Sequence, residues 1–256
     1  MDAGKTTFAV GLVDELDGIG IKPRAGNDYW YDYDTVSAAA TAGTLVGKDA
    51  KRLARASAGD LQPAAINPLH RLWRPIPHGT GGIFGRERTE FLVDRDADEY
   101  VVNAGVDIPR ELRRGFDLEG ATRVDSLAEM NEVMRDRHRP ALEGVRPLLE
   151  TDRPVVIESY ADVARPLQDV EIDAVAVVGA GRLAVYDGER YCRAAEVASG
   201  SADMGRLEER VDDVVDLIRP VATTRLPPLT SDRRSDPSAV AAAYADAFDA
   251  LWPAVD

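Results

Sequence analysis

The sequence predicts an α/β protein of three layers, with a mostly parallel central sheet between helices. Three observations predict it. Short apolar runs rich in β-branched residues, Val155-Val156-Ile157 and Ile172 to Val178, read as strands buried on both faces. Segments with apolar residues at helical spacing alternate with such runs, the order expected where crossover helices join parallel strands. Finally, Gly4-Lys5-Thr6-Thr7 stands directly before the first helical segment, where α/β folds carry ligand-binding loops.

The elements follow in order. Phe8, Leu12, Val13 and Leu16 recur at helical spacing, and Gly18-Ile19-Gly20 stops that helix. A strand is expected over Ile19 to Arg24, running into the loop Tyr29 to Asp34, and helices over Val36 to Leu45 and Asp49 to Ala58. Pro63, Pro68, Pro75 and Pro77 break regular structure, and His78 to Gly120 reads as an excursion from the main sheet with short β runs at Thr89 to Val93 and Tyr100 to Val102. Ser126-Leu127-Ala128-Glu129 fits a capping box opening a long helix towards Glu150. Asp187-Gly188 resembles a hairpin turn, Met204 to Ile218 a helix, and Val221 to Thr224 the last core strand. Pro237 after Asp236 opens a final helix to Leu251. The expected organisation is one domain over 1–256, with an α+β insertion at about 79–120.

Composition narrows the class. The 256 residues carry a net charge of −14 and 45% hydrophobic residues, enough for a substantial core. Such acidity disfavours nucleic acid as a partner, because the phosphate backbone demands clustered cations. No apolar run reaches the ~18 residues that span a bilayer, so a cytoplasmic protein without a membrane partner is expected. The single Cys192 forms no internal disulfide and no cysteine-rich zinc site. Of 31 basic residues only Lys5, Lys22, Lys48 and Lys51 are lysine, while Asp outnumbers Glu 29 to 16. This pattern suggests a halophilic protein kept hydrated by surface carboxylates; a GC-rich genome is the alternative source of the arginine bias. Each remaining lysine therefore merits inspection.

Gly4-Lys5-Thr6 matches the second half of the phosphate-binding loop G-x-x-x-x-G-K-[ST]. In that loop, backbone N–H groups wrap phosphates, Lys reaches the β and γ oxygens, and Ser or Thr coordinates Mg²⁺. The segment Asp2, Ala3, Gly4, Lys5, Thr6 and Thr7 is thus the expected nucleotide-binding stretch, and the first glycine and its strand are expected before Met1. A disordered N-terminus is the other reading of so short a motif. Lys22 ends the second strand and Glu158 ends the Val155 to Ile157 strand, at the sheet edge where ligands collect. Glu158 is the carboxylate expected to hold Mg²⁺ or its water.

Four segments in family order resemble dethiobiotin synthetase and the related P-loop amidoligases. They are Gly4-Lys5-Thr6-Thr7, Lys22-Pro23, Asp49 to Ser57 (DAKRLARAS), and Ile66-Asn67-Pro68 with Pro75-Ile76-Pro77-His78. The resemblance implies a P-loop NTPase fold, an ATP site with Lys5 on phosphate, and Mg²⁺ surrounded by Thr6, Asp49 and Glu158. It implies that Lys22 faces the substrate and the transferring phosphoryl group, making Lys5 and Lys22 the catalytic pair, and it makes a homodimer plausible. The chemistry implied is ATP-dependent activation of a small carboxylate-type substrate. Departures are visible: where the family has Glu followed by Gly-Ala-Gly-Gly, this chain has Glu158-Ser159-Tyr160-Ala161-Asp162. Thr223-Thr224-Arg225 stands where relatives tend to place an Asn for the purine, leaving ATP or GTP open. The loop Tyr29 to Asp34 has no family counterpart.

Two glycine motifs mislead. Gly179-Ala180-Gly181-Arg182-Leu183-Ala184 matches a dinucleotide fingerprint, yet a strand rather than the required helix is expected after it. Gly79 to Gly85 lacks a preceding strand and reads as a connection, and His78 beside it as a loop histidine. The leading functional expectation is an Mg²⁺·ATP-dependent enzyme. The alternatives are a P-loop ATPase or GTPase acting as a switch without a small-molecule product, and a scaffold that binds nucleotide poorly.

Overall fold

Pro23 has no amide hydrogen to give a sheet ladder, and the strand expected over Ile19 to Arg24 accordingly divides at Lys22-Pro23 into β1 (Ile19–Ile21) and β2 (Arg24–Asp28). The computed structural model describes residues 4–76, 89–199 and 209–255. Asp2, Ala3, Pro77, His78, the Gly79 to Gly85 stretch and Met204 lie outside the described residues. Ahead of β1 stands α1 (Lys5–Glu15), and after β2 come α2 (Tyr33–Ala42), α3 (Lys48–Ala56), α4 (Pro63–Ile66) and β3 (Leu69–Pro75). Next are β4 (Thr89–Asp96), β5 (Glu99–Asn103), α5 (Arg110–Gly115), β6 (Thr122–Val124) and α6 (Leu127–Val133). A π-helical turn (Met134–His138), α7 (Arg139–Glu143), α8 (Arg146–Leu149) and β7 (Val155–Ile157) follow. The last third holds β8 (Ala174–Gly179), β9 (Arg182–Asp187), α9 (Gly188–Ser199), α10 (Val211–Val215), β10 (Ala222–Arg225), α11 (Ser231–Ser235) and α12 (Pro237–Asp249). Among the described residues no helix is long and apolar enough to cross a membrane.

The chain divides into two units. The first comprises Met1–Gly20, Ala56–Gly59 and Arg153–Asp256; the second comprises Ile21–Arg55 and Asp60–Asp152.

The second unit is built on a five-stranded sheet of order β2-β3-β4-β5-β6. Only β2/β3 and β5/β6 are parallel; β3/β4 and β4/β5 are antiparallel. The sheet is therefore mixed, which corrects the mostly parallel arrangement expected from sequence. The cause is local for β4 and β5: Asp96 pairs with Glu99 across the two residues Ala97 and Asp98, and so short a link can join only antiparallel strands. Ala97 takes a left-handed φ of 51° to make the turn. Thr89 to Val93 and Tyr100 to Val102, expected in an excursion, belong instead to β4 and β5, two of the inner strands of this sheet. β3 was also unexpected, because prolines at both of its ends hid a run from Leu69 to Pro75. Successive residues face opposite sides. Leu72, Leu92 and Val102 join Val36, Ala39, Leu112 and Phe116 of the α2 and α5 side, whereas Phe91 and Val101 join Met130 and Val133 of α6. Leu72, Leu92 and Leu112 are fully buried, and truncating any one to Ala would cost about 2–5 kcal/mol.

The long helix expected from Ser126 to Glu150 is a succession of α6, the π turn, α7 and α8. Its start is as anticipated in part: Ser126 Oγ accepts from Glu129 N at 3.3 Å, and the Glu129 carboxylate accepts from Asp125 N at 2.8 Å, one residue outside the usual box.

The first unit holds a two-stranded sheet, β1 with β7, and a three-stranded antiparallel sheet of order β10-β9-β8. Val221 to Thr224, expected as a core strand, is represented by β10 at the edge of that sheet. The hairpin expected at Asp187-Gly188 lies instead between β8 and β9, where Gly179 pairs with Arg182 and Gly181 has φ 74°. Asp187 instead caps α9, its Oδ1 accepting from Arg190 N at 2.8 Å. The dinucleotide-like glycines thus form a β-turn, as the following strand required. α1 packs along α12 through Gly11, where an added Cβ would stand 2.5 Å from Val240 Cγ1. Phe8, Leu12, Val240, Tyr244 and Phe248 make the core there, with Val156 of β7 and Ala174 and Ala176 of β8 packed against it.

Candidate functional site

In the first unit, three expected site residues meet where α1 begins and β7 ends. The β-branched run Val155-Val156-Ile157 forms β7, and the apolar face of α1 draws the helix across it. Gly4 enters α1 in the left-handed conformation, φ 84°, and its carbonyl receives Phe8 N at 3.0 Å. The first turn of α1 carries no acidic residue, so its positive dipole end is uncompensated within the helix. Thr6 and Thr7 are buried. Thr6 Oγ1 donates to Glu158 Oε1 at 2.6 Å, and Glu158 is itself only 5% exposed. The Lys5 ammonium donates to the main-chain carbonyl of Ala161.

The loop after Glu158 is held by its own hydrogen bonds. Ala161 adopts φ 50°, a left-handed conformation that costs a non-glycine residue on the order of 1 kcal/mol. Neighbouring bonds hold it: Val163 N donates to Tyr160 O at 3.1 Å, Ser159 Oγ donates to Val163 O at 2.5 Å, and Val211 N to Asp162 O at 2.8 Å.

Lys22 and Asp49 belong to the second unit. Lys22 is 5% exposed, and its Nζ lies 3.7 Å from Asp49 Oδ2 in the first turn of α3. Its backbone is fixed on both sides: Lys22 N donates to Ile66 O at 2.9 Å, and Asn67 Nδ2 donates to Lys22 O at 2.8 Å. Thr6 and Glu158 are thus directly bonded, whereas Asp49, expected with them, is ion-paired to Lys22.

Behind Lys22 runs a buried polar network around Asn67, His70 and Arg95. Asn67 Oδ1 is 3.1 Å from His70 Nδ1, and burial with nearby cations pushes the His70 pKa down to about 3, so the ring is neutral. Arg95, 1% exposed, donates to the carbonyls of Leu45 at 2.7 Å and Ala97 at 2.8 Å, and also to that of Asn67. Gly47 passes so close that a Cβ would lie 2.6 Å from Asn27 Oδ1 and 2.8 Å from His70 Cε1. On the opposite sheet face Arg71 Nε donates to Asp94 Oδ1 at 2.7 Å, with His138 Nε2 at 3.6 Å from Asp94 Oδ2. Strand alternation could have revealed both groups. In Leu69-His70-Arg71-Leu72-Trp73 the polar residues occupy both parities, which marks polar groups inside a sheet covered on both faces.

Glu158 and Thr6 offer oxygen donors suited to a hard cation. Among the described residues, no group of three or more His, Cys, Asp or Glu is arranged to hold a metal. Comparisons with protein-family models, with curated proteins and with solved structures find no match to this chain.

Proposed function

We propose that this chain is an Mg²⁺·ATP-dependent phosphoryl-transfer enzyme activating a small carboxylate-type substrate, the chemistry implied by its resemblance to dethiobiotin synthetase. The observation that carries the reading is the 2.6 Å bond between Thr6 and Glu158, beside Lys5 in the first turn of a glycine-entered helix. A hydroxyl and a carboxylate so placed fit Mg²⁺, which takes oxygen ligands and completes its shell with phosphate and water. Bound there with nucleotide, the ion would neutralise charge developing on the phosphate oxygens.

The chain's own groups account for the rest. Amides of the first turn of α1 hydrogen-bond phosphate oxygens, and Lys5 exchanges the Ala161 carbonyl for one of them. Glu158 orients the Thr6 hydroxyl. Lys22 is the substrate-directed cation of this reading, and its pairing with Asp49 restrains the ammonium.

The test is calorimetric titration of the chain and of Lys5→Ala with Mg²⁺·ATP and Mg²⁺·GTP in molar KCl. Saturable binding that Lys5→Ala loses supports the reading, and the preferred base follows from the two titrations. Absence of binding, or equal binding by Lys5→Ala, rejects it. Lys22→Ala is expected to retain nucleotide binding while losing turnover.

A further inference from the structure

The aromatic-acidic loop after β2 borders an open surface depression of about 440 Å³ lined by Trp30, Tyr31, Asp32, Tyr33, Asp34 and Lys48, among others. Large aromatic side chains are usually buried, yet Trp30 is 72% exposed, Tyr31 81% and Tyr33 47%. Fixed hydrogen bonds present them. Asp28 Oδ1 accepts from Trp30 N at 2.8 Å and Tyr31 N at 2.9 Å, while Asp28 N donates to Asp32 Oδ2 at 3.1 Å. At the base of the loop, Tyr29 N donates to Trp73 O at 2.7 Å, and Tyr29 packs edge-on against Tyr33. The backbone that carries these exposed rings is therefore braced before any ligand arrives.

The charges of the lining select the ligand. Lys48 is engaged by Asp32 at 3.3 Å, and the hydrogen bonds from Asn27 and Asp28 together with Lys48 hold the Asp32 carboxyl below its ordinary pKa despite partial burial. Asp34 then leaves the depression with one net negative charge beside the rings of Trp30, Tyr31 and Tyr33. An anion would meet carboxylates and π faces of its own sign. An organic cation meets complementary charge and ring quadrupoles together.

We propose that this depression is a binding site for a small organic cation, a molecule bearing a primary or quaternary ammonium group. Trp30 and Tyr31 supply the ring faces and Asp34 the countercharge. The inference is independent of the nucleotide reading.

The test is calorimetric titration of the full chain with choline chloride, replacing KCl at constant ionic strength and without nucleotide. Its neutral isostere, 3,3-dimethyl-1-butanol, is titrated in parallel. Saturable choline binding with a dissociation constant on the order of 1 mM is expected, weakened about fivefold or more in Trp30→Ala. Trp30→Phe should retain part of it and Asp34→Asn should weaken it, while the neutral isostere should not saturate. Both substituted side chains are exposed, and circular dichroism verifies that the variants are folded. Equal binding of the isostere would make the site merely apolar and overturn the proposal. So would unchanged binding in Trp30→Ala, or no saturable binding at all. The same titration in Lys5→Ala should be unaltered, which separates this outcome from failure of the nucleotide site.

Discussion

Thr6 and Glu158, 152 positions apart in sequence, share a 2.6 Å hydrogen bond while both are shielded from solvent. A buried carboxylate must keep its donors, because an acceptor stripped of its partner pays the desolvation cost without return. Thr6→Val, nearly isosteric, is expected to destabilise the chain by about 1–3 kcal/mol. Thr6→Ser should preserve stability more closely. Urea unfolding of the three proteins measures the difference, and coincident curves would show that the contact contributes nothing.

Arg95 makes a second strong prediction. Its guanidinium is buried and serves carbonyls, and burial lowers its pKa from the ordinary value. Arg95→Leu leaves those carbonyls short of donors and is expected to cost about 3 kcal/mol or more. Arg95→Lys should not rescue it, since three donors on one atom cannot copy a planar fork. Thermal melting decides; a lysine variant melting like the parent would refute the role of geometry.

His138 links stability to pH. Burial pushes its pKa down to about 4, with Arg71, Arg24 and Arg137 acting in the same direction and Asp94 opposing. The unfolded chain, with an ordinary histidine pKa near 6.5, therefore binds more protons than the folded chain between about pH 6.5 and 4. Stability should fall as pH falls through that window, by at most about 3 kcal/mol from this residue, and level off below it. His70 acts in the same direction, to about pH 3. Denaturant midpoints across pH should show a shallower slope in His138→Gln; an unchanged slope would place the acid sensitivity elsewhere.

Gly11 sets the approach of α1 to α12. Gly11→Leu would drive methyl groups into Val240 and the Ala241 amide, and a loss of about 1–3 kcal/mol is expected. For Gly11→Ala the clash opposes a gain in helix propensity of about 1 kcal/mol. Adding Val240→Ala to it should show non-additivity on the order of 1 kcal/mol, because the two side chains claim the same space. Strict additivity in melting experiments would contradict the close contact.

Ala161 holds a backbone shape suited to glycine. Ala161→Gly is expected to be neutral or to stabilise by up to about 1 kcal/mol, against the usual penalty for a glycine substitution. A clear loss of stability would mean that the methyl group contributes packing that outweighs the strain.

Much of the architecture was legible because local chemistry determined it. Asp236 and Pro237 marked the start of α12, where Asp236 Oδ1 accepts from Ser238 N at 3.1 Å. Val155 to Ile157 marked β7, and with it the position of Glu158. What escaped detection depended on remote partners. Asp187-Gly188 carries the composition of a turn, but Gly188 N donates to Asp173 O at 2.9 Å, a Cβ on Gly188 would collide with the Ile172 carbonyl, and Asp187 caps the helix that starts there instead. β3 alternates poorly because His70 and Arg71 both find polar partners inside the protein, Asn67 and Asp94 on opposite faces. Of the candidate site, Lys5, Thr6 and Glu158 are singled out by motif and strand position, and the structure brings Thr6 and Glu158 into direct contact. The supports of Lys22, Ile66 and Asn67, lie far along the chain from it, and nothing local to Lys22 points to them.

The discontinuity of the first unit has a consequence for how the chain acquires its structure. Gly18 to Gly20 and Arg153 to Ile157 must meet to pair β1 with β7, yet the whole of the second unit is threaded between them. Closing so long a loop while it is still random coil is entropically unfavourable and slow, since contacts distant in sequence reward the chain only after closure. Prior folding of the intervening residues shortens the effective separation of those ends. Order of synthesis imposes the same sequence of events: α1 leaves the ribosome before the residues from Arg153 onward that cover its apolar face. Until then Phe8 and Leu12 are open to chaperones and to aggregation, which makes the lifetime of that interval, more than the final stability, the hazard in producing this protein.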